Sequence, residues 1–317
     1  LDPVKLHGYT SAQGAPDVRK TISDSITKRF GIEANADLIY MTCGAAASLT
    51  VSLHAIVNPG DEIIVPEPAY ANYMAFAVSA GAVIKTVPSS IETGFALPPV
   101  EKFEELITER TKAILICNPN NPTGTIIRRE EVLEIVKSTD EIVIVDEAYI
   151  DFSNNESMLK SLNRYPNLVV LQTFSKAWGM AGIRLGMAFA STEIISFMNK
   201  VKYPYNVNLL TQSLALEHLE DYDKITGWVN AILSERVTLI ERFSKLAICE
   251  KIYPSNANFF LAKVKDAAKI YNYLVDNGII VRNRSHISLC GNSLRITIGT
   301  PEENNTLIES LTNMPQL

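Results

Sequence analysis

The chain has 317 residues, 47% hydrophobic and 20% charged, with a formal net charge of -6. That length holds one large domain and a smaller one, and that balance suits an α/β globule. An acidic chain argues against binding nucleic acid through a basic field, and no apolar run reaches the roughly 18 residues that span a bilayer. Leu1-Asp2-Pro3-Val4-Lys5 lacks the basic-then-apolar layout of a secretory signal, and with no initiator Met a further N-terminal segment is expected upstream. Cys43, Cys117, Cys249 and Cys290 are widely spaced without a CxxC. They read as reduced thiols of a cytoplasmic protein, with neither a disulfide framework nor a zinc site.

Tyr9 lies in a turn-rich entry. A helix pattern follows, with Val18, Ile22, Ile26 and Phe30 at spacings of four, closed by Gly31. A strand over 38–43 then meets Gly44-Ala45-Ala46-Ala47, which opens a helix running to about Val57. Small residues at a strand-to-helix turn let backbone N–H groups approach an anion, although close packing alone also explains them. His54 sits well inside that helix and reads as structural. After a strand over 62–66, Tyr70 and Tyr73 stand three apart at a helix start, where either can stack on a planar ring or simply pack. Further strands are expected over 82–87 and 113–117.

The last of these ends in Asn118-Pro119-Asn120-Asn121-Pro122-Thr123-Gly124, a rigid turn that accounts for its prolines and glycine but not for two adjacent asparagines. A helix over 130–137 and a strand over 142–145 lead to Asp146-Glu147-Ala148-Tyr149. A carboxylate directly after four apolar residues needs a cationic partner, for which a protonated pyridine nitrogen and a magnesium ion are the candidates. No G-x-x-x-x-G-K-[ST] loop supports the second, and no G-x-G-x-x-G fingerprint is present. A buried strand over 168–171 delivers Thr173, Ser175, Lys176 and Arg184 just beyond its end, where open α/β sheets place ligands. A lysine there suits a Schiff base with a carbonyl cofactor such as pyridoxal phosphate, with Thr173, Ser175 and Arg184 on the phosphate; a solvated lysine in a loop is the plain alternative.

A short strand over 187–190 and a loop over 202–208 precede helical stretches through about residue 250, read as linking two domains. Beyond Pro254 the pattern becomes strand 258–261, helix 266–276, strands 279–281 and 293–297, and a terminal helix from Pro301: a small α+β domain. Arg282, Arg284 and Arg295 fall at strand positions where an anion clamp is plausible, though each taken alone reads as a solvated edge residue. The division expected is 1–225 for the large domain and 226–317 for the small one.

Asn118-Pro119-Asn120-Asn121-Pro122-Thr123-Gly124, Asp146-Glu147-Ala148-Tyr149 and Ser175-Lys176 followed by Arg184, in that order, resemble the fold-type I pyridoxal-phosphate-dependent aminotransferases over nearly the whole chain. The likeness is greatest to the histidinol-phosphate aminotransferase family, through 173–182, Tyr203-Pro204-Tyr205-Asn206-Val207-Asn208, Asn256-Ala257-Asn258-Phe259 and 294–300. It implies an α/β fold, a mostly parallel sheet in a large domain with a small α+β C-terminal domain, and pyridoxal 5'-phosphate as cofactor. Lys176 then matches the Schiff-base lysine and proton shuttle, Asp146 the partner of the pyridine nitrogen, and Asn121 and Tyr149 the contacts of the phenolic oxygen. Tyr70 matches the ring-stacking aromatic, with Tyr73 the second candidate. The N–H groups of Ala45 and Ala46, with Thr173, Ser175 and Arg184, match the phosphate cup. Tyr9 matches a tyrosine that reaches the neighbouring subunit's cofactor, which implies a homodimer with shared sites. Arg295 matches the grip on a substrate carboxylate and Arg282 the hold on a distal phosphate.

The implied reaction is a ping-pong transamination between L-histidinol phosphate and 2-oxoglutarate. The stretch 9–81, with Ala46 and Ala47 where that family often has an acidic residue, is more similar to aspartate or aromatic aminotransferases, which remain the alternative. A threonine-phosphate decarboxylase on the same site, and a pyridoxal-phosphate-binding module without catalysis, are the further alternatives.

Overall fold

The computed structural model describes residues 8–315. Seven strands form the large sheet: β1 (Ile39–Thr42), β2 (Glu62–Glu67), β3 (Val83–Pro88), β4 (Thr111–Cys117), β5 (Ile142–Asp146), β6 (Leu168–Thr173) and β7 (Gly186–Phe189). Their order is β1-β7-β6-β5-β4-β2-β3, and only β7 runs against its neighbours.

Its central strands are apolar without interruption because both faces are covered. Alternate residues sort cleanly: Ile114, Ile116, Val143, Val145, Leu168 and Val170 join one cluster, while Ala113, Leu115, Ile144, Val169 and Leu171 join another. The helices α1 (Pro16–Phe30) and α5 (Arg129–Ser138) bury Val18, Ile22, Ile26, Val132 and Ile135 in the first. The second is closed by α2 (Ala45–Ile56), α3 (Asn72–Ser79) and α6 (Thr192–Val201). A five-residue helix, α4 (Val100–Glu104), anchors Phe103 in the first cluster.

Then come α7 (Leu209–Leu219) and the long α8 (Tyr222–Ser244). The N-terminal turns of α8 pack Ile225 and Val229 into the first cluster, while Leu239 and Phe243 belong to a third one further along. That third cluster lies under an antiparallel sheet of order β10-β11-β9-β8, built from β8 (Cys249–Ile252), β9 (Phe259–Val264), β10 (Arg282–Asn283) and β11 (Ser293–Thr297), with helices α9 (Ala267–Asp276) and α10 (Pro301–Thr312).

Two elements differ from the sequence expectation. Residues 249–252, taken as the end of a helical stretch, form an edge strand whose register slips between Cys249 and Lys251, which erases the period-two signal. Residues 279–281, taken as a strand, are the exit of α9. Gly278 turns at φ +74°, the Ile279 N–H closes on Leu274 O, Ile280 is exposed, and pairing starts only at Arg282.

One buried carboxylate ties the edge of the large sheet to the loop beyond it. Glu147 accepts from Ser157 Oγ at 2.6 Å, Met158 N at 2.7 Å and Gln172 Nε2 at 2.9 Å, joining the residue after β5 to β6 and to the loop around 157. Burial pushes its carboxyl from 4.5 up to about 7, against the pull of those donors. The folded chain therefore holds a proton that the unfolded chain releases. This contribution is complete below pH 4.5 and is lost as pH rises to about 7. Urea unfolding across pH 5 to 8 should show wild type losing up to ~1.4 kcal/mol per pH unit relative to Glu147→Gln in that window. Parallel pH profiles for the two proteins would refute the assignment.

Candidate functional site

Strand register lines up the site before any side chain is considered. Cys117 pairs with Asp146, Asp146 with Leu171, Thr173 with Gly186, and Gly186 with Thr42. These pairs bring the ends of β4, β5, β6 and β1 to one edge of the large sheet. A cavity of about 350 Å³ opens there, within the range of small-molecule sites, and the arginine-bearing strands of the small sheet line its other side.

Asp146 is the last residue of β5 and lines the cavity. Its Oδ1 accepts from Ala148 N at 3.0 Å and its Oδ2 from Tyr73 Oη at 2.8 Å. Burial raises its carboxyl above the usual range, with both hydrogen bonds and the nearby Lys176 opposing the rise. Tyr73 is 2% exposed, so its ring is core and only its hydroxyl serves the site. Tyr70 lines the cavity with its ring edge-on to Tyr73 at 5.5 Å, its hydroxyl accepting from Asn72 Nδ2.

Lys176 follows β6. Its Nζ lies 5.3 Å from the centre of the Tyr149 ring and, among the described residues, has no carboxylate within 4 Å. Burial, and then the like charge of Arg295, lower its pKa, against the pull of Asp146. The amine is thus closer to neutrality than a surface lysine. Tyr149 is buried edge-on against Phe259, and burial raises its phenol.

At one end of the cavity stands an anion cradle. Ala47 and Ser48 N–H close on Gly44 O, which leaves the first N–H groups of α2, those of Ala45 and Ala46, directed outward. Gly44 has φ +94°, and a Cβ there would sit 2.6 Å from Arg184 Nη2. A Cβ on Gly186 would meet Ala45 N at 2.3 Å. Arg184 Nη1 reaches Ser175 Oγ at 3.4 Å and Ala181 O at 3.1 Å, while Thr173 Oγ1 accepts from Ser175 N. At the other end, Arg295 Nη1 donates to Asn121 Oδ1 at 2.8 Å, and its guanidinium lies 4.7 Å from the Phe259 ring centre.

The expected residues Ala45, Ala46, Tyr70, Asn121, Asp146, Tyr149, Thr173, Ser175, Lys176, Arg184, Arg282 and Arg295 all line this one cavity. Tyr9 does not: it is 79% exposed and stacks on Tyr205 at 3.7 Å. The second asparagine of the turn has a structural use that spacing did not reveal. Asn120 donates to Pro68 O at 2.9 Å and accepts from Thr123, tying the loop to the segment that carries Tyr70. Cys117 and Arg284 also line the cavity; for Cys117 the usable signal was its place at a strand end abreast of Asp146.

The family model for aminotransferase class I and II matches residues 1–311. The chain is similar to the histidinol-phosphate aminotransferase of Bacteroides thetaiotaomicron, 48% identical over 274 residues that make up 86% of this chain and 78% of the relative. Among solved structures, the aspartate aminotransferase of Thermotoga maritima is similar with a TM-score of 0.86 at 26% identity, over 96% of this chain and 83% of that one. The histidinol-phosphate aminotransferase of Clostridium acetobutylicum has a TM-score of 0.85 at 23% identity, over 97% and 90%.

Tyr73→Phe deletes one hydroxyl from a buried, charge-assisted hydrogen bond and should cost about 1.5–3 kcal/mol in urea unfolding. A change below about 0.5 kcal/mol would mean that the hydroxyl does not hold Asp146.

Proposed function

The chain belongs to the aminotransferase class I and II family, and from that footing we propose that it moves the amino group of L-histidinol phosphate to 2-oxoglutarate. The observation that carries this substrate is the 48% identity to a histidinol-phosphate aminotransferase across most of both chains; the aspartate aminotransferase likeness stands at 26%. The protein is a pyridoxal-phosphate-dependent transaminase acting on an amino donor and a 2-oxo acid.

The residues present fit pyridoxal 5'-phosphate on the chemistry of the cavity itself. An anion cradle walled by glycines that tolerate no Cβ faces one end, a buried carboxylate with no cation within 4 Å among the described residues lies deeper, and a lysine with a lowered pKa stands beside them. When bound, the cofactor supplies a carbonyl that exchanges with amines and a ring that draws electrons from the donor's Cα. In our reading Ala45 and Ala46 N–H, Thr173, Ser175 and Arg184 hold its phosphate. Asp146 would keep a proton on its ring nitrogen, Asn121 and Tyr149 would contact its phenolic oxygen, and Tyr70 would stack on its ring.

Lys176 Nζ is the covalent anchor and the base. Lowered basicity leaves a larger share of it neutral near pH 7, the form that would bond the cofactor's carbonyl carbon and, once the donor's amine had displaced it, would be free to take the proton from the donor's Cα. Tyr73 holds Asp146 in position, with Cys117 beside it. Arg295, oriented by Asn121 and Phe259, binds the donor's anionic group with Arg282. The two half-reactions alternate in this one site.

We further propose the division near residue 225, a homodimer and a cytoplasmic location. The first is supported by the separate clusters at the two ends of α8. The second is supported by Tyr9, Tyr203 and Tyr205 and by Met74 and Val78, all large apolar groups exposed on the surface. For the third, the four free cysteines suit a reducing compartment, and no helix among the described residues is long and apolar enough to cross a membrane.

An amino-donor panel with the cofactor-loaded protein and 2-oxoglutarate tests the substrate. L-Histidinol phosphate should exceed aspartate, phenylalanine and tyrosine in kcat/KM by about tenfold or more, a margin that a buried charged contact can supply. Preference for any of the three amino acids, or carbon dioxide release without a keto acid, would contradict the reading. Lys176→Ala should lower turnover by on the order of 10³-fold or more while keeping the circular dichroism spectrum. Comparable turnover in that variant would refute the role of Lys176.

A further inference from the structure

The small sheet presents an arrangement that costs stability. β10 and β11 pair Arg282 directly with Arg295, and the Arg284 N–H extends the ladder to Ser293 O at 2.8 Å. Opposed residues of an antiparallel pair share a face, and so do residues two apart, so three guanidinium groups stand together on the side that lines the cavity. Like charges so placed repel. Among the described residues, none of the three has a carboxylate within 4 Å.

Arg295 is positioned by Asn121 and Phe259, as described. Arg284 lacks such positioning. Like Arg282, it makes no side-chain hydrogen bond among the described residues, and its Nε, like that of Arg295, is buried with the bond unmade. An unmade buried donor is costly, and guanidinium forks are built to meet planar or tetrahedral oxyanions in pairs. Burial, and then the charge of Arg282, weigh against a charged Arg284 in the free protein, a strain that an arriving anion relieves.

We propose that Arg284 is the third arm of this cluster and makes the donor end of the cavity selective for a phosphomonoester dianion over a carboxylate. A carboxylate has two oxygens and one charge, so it engages one fork and leaves two cations facing each other. A phosphate monoester dianion brings three terminal oxygens and two charges, enough to meet all three guanidinium groups and neutralise most of their repulsion. This assignment rests on the transaminase reading and deepens it: Arg282 and Arg295 would bind either anion, and Arg284 sets the preference between them.

The test uses the cofactor-loaded protein, so that the cradle at Ala45 and Arg184 is filled and added phosphate reports on the arginine cluster. Wild type, Arg284→Gln and Arg284→Lys are compared in three respects: inhibition by inorganic phosphate against the amino donor, kcat and KM for L-histidinol phosphate, and kcat/KM for L-phenylalanine. Losing a charge-assisted fork should raise the phosphate inhibition constant and the histidinol phosphate KM at least about tenfold in Arg284→Gln. It should change kcat by less than about threefold and lower the phosphate-to-carboxylate selectivity ratio about tenfold. Arg284→Lys, which keeps the charge without the fork, should recover part of the loss. Phosphate inhibition constants and selectivity ratios within about twofold of wild type in both variants would overturn the proposal, as would a wild type that phosphate does not inhibit. If wild type turns over only carboxylate donors, the substrate reading and the selectivity assigned to Arg284 both fall; if it turns over L-histidinol phosphate but the Arg284 variants keep wild-type phosphate inhibition, only the role of Arg284 falls.

Discussion

Everything in the site depends on a carboxylate kept at the end of a buried strand. β5 is apolar up to Asp146 because the sheet is covered on both faces, so the first polar side chain emerges where the cavity begins. A carboxylate there is expensive, and the fold meets the cost with Tyr73 Oη and Ala148 N rather than with a salt bridge. This leaves Asp146 without a cationic partner among the described residues, in reserve for a cationic ring atom. Lys176, one strand over, has no carboxylate within 4 Å among the described residues, and burial, then the charge of Arg295, lower its pKa.

The neighbouring acid goes the other way. Glu147 turns from the cavity and is spent on the frame, taking three donors that lock β5 to β6 and to the loop at Ser157. Adjacent carboxylates therefore divide into one that does chemistry and one that holds strand ends in place, because successive residues leave a strand on opposite sides. The same division separates the asparagines. Asn118 and Asn120 pin the loop after β4, and Asn121 alone faces the cavity.

Much of this was legible in the sequence, for identifiable reasons. Long apolar runs ended by Asp146, Asn118 or Thr173 mark parallel strands and their exits, and ligands of such sheets collect at those exits. Groups acting across long separations were not legible. The bond of Tyr73 to Asp146 spans 73 positions, and Tyr73 read only as a second stacking candidate. Arg284 stood beside Arg282 and Arg295 as a candidate anion clamp, each reading alone as a solvated edge residue, and only the β10–β11 register puts them on one face. The edge strand β8 and the exit of α9 were misread because a register slip and an exposed isoleucine break the local pattern.

The chemistry of this site comes down to one nitrogen bonding one carbon. Borohydride reduction of the cofactor-loaded protein, followed by peptide mass mapping, fixes that bond for inspection. A pyridoxyl phosphate adduct on Lys176, absent from Lys176→Ala, is the predicted result. An adduct on another lysine, or none on a protein that still transaminates, would contradict the account.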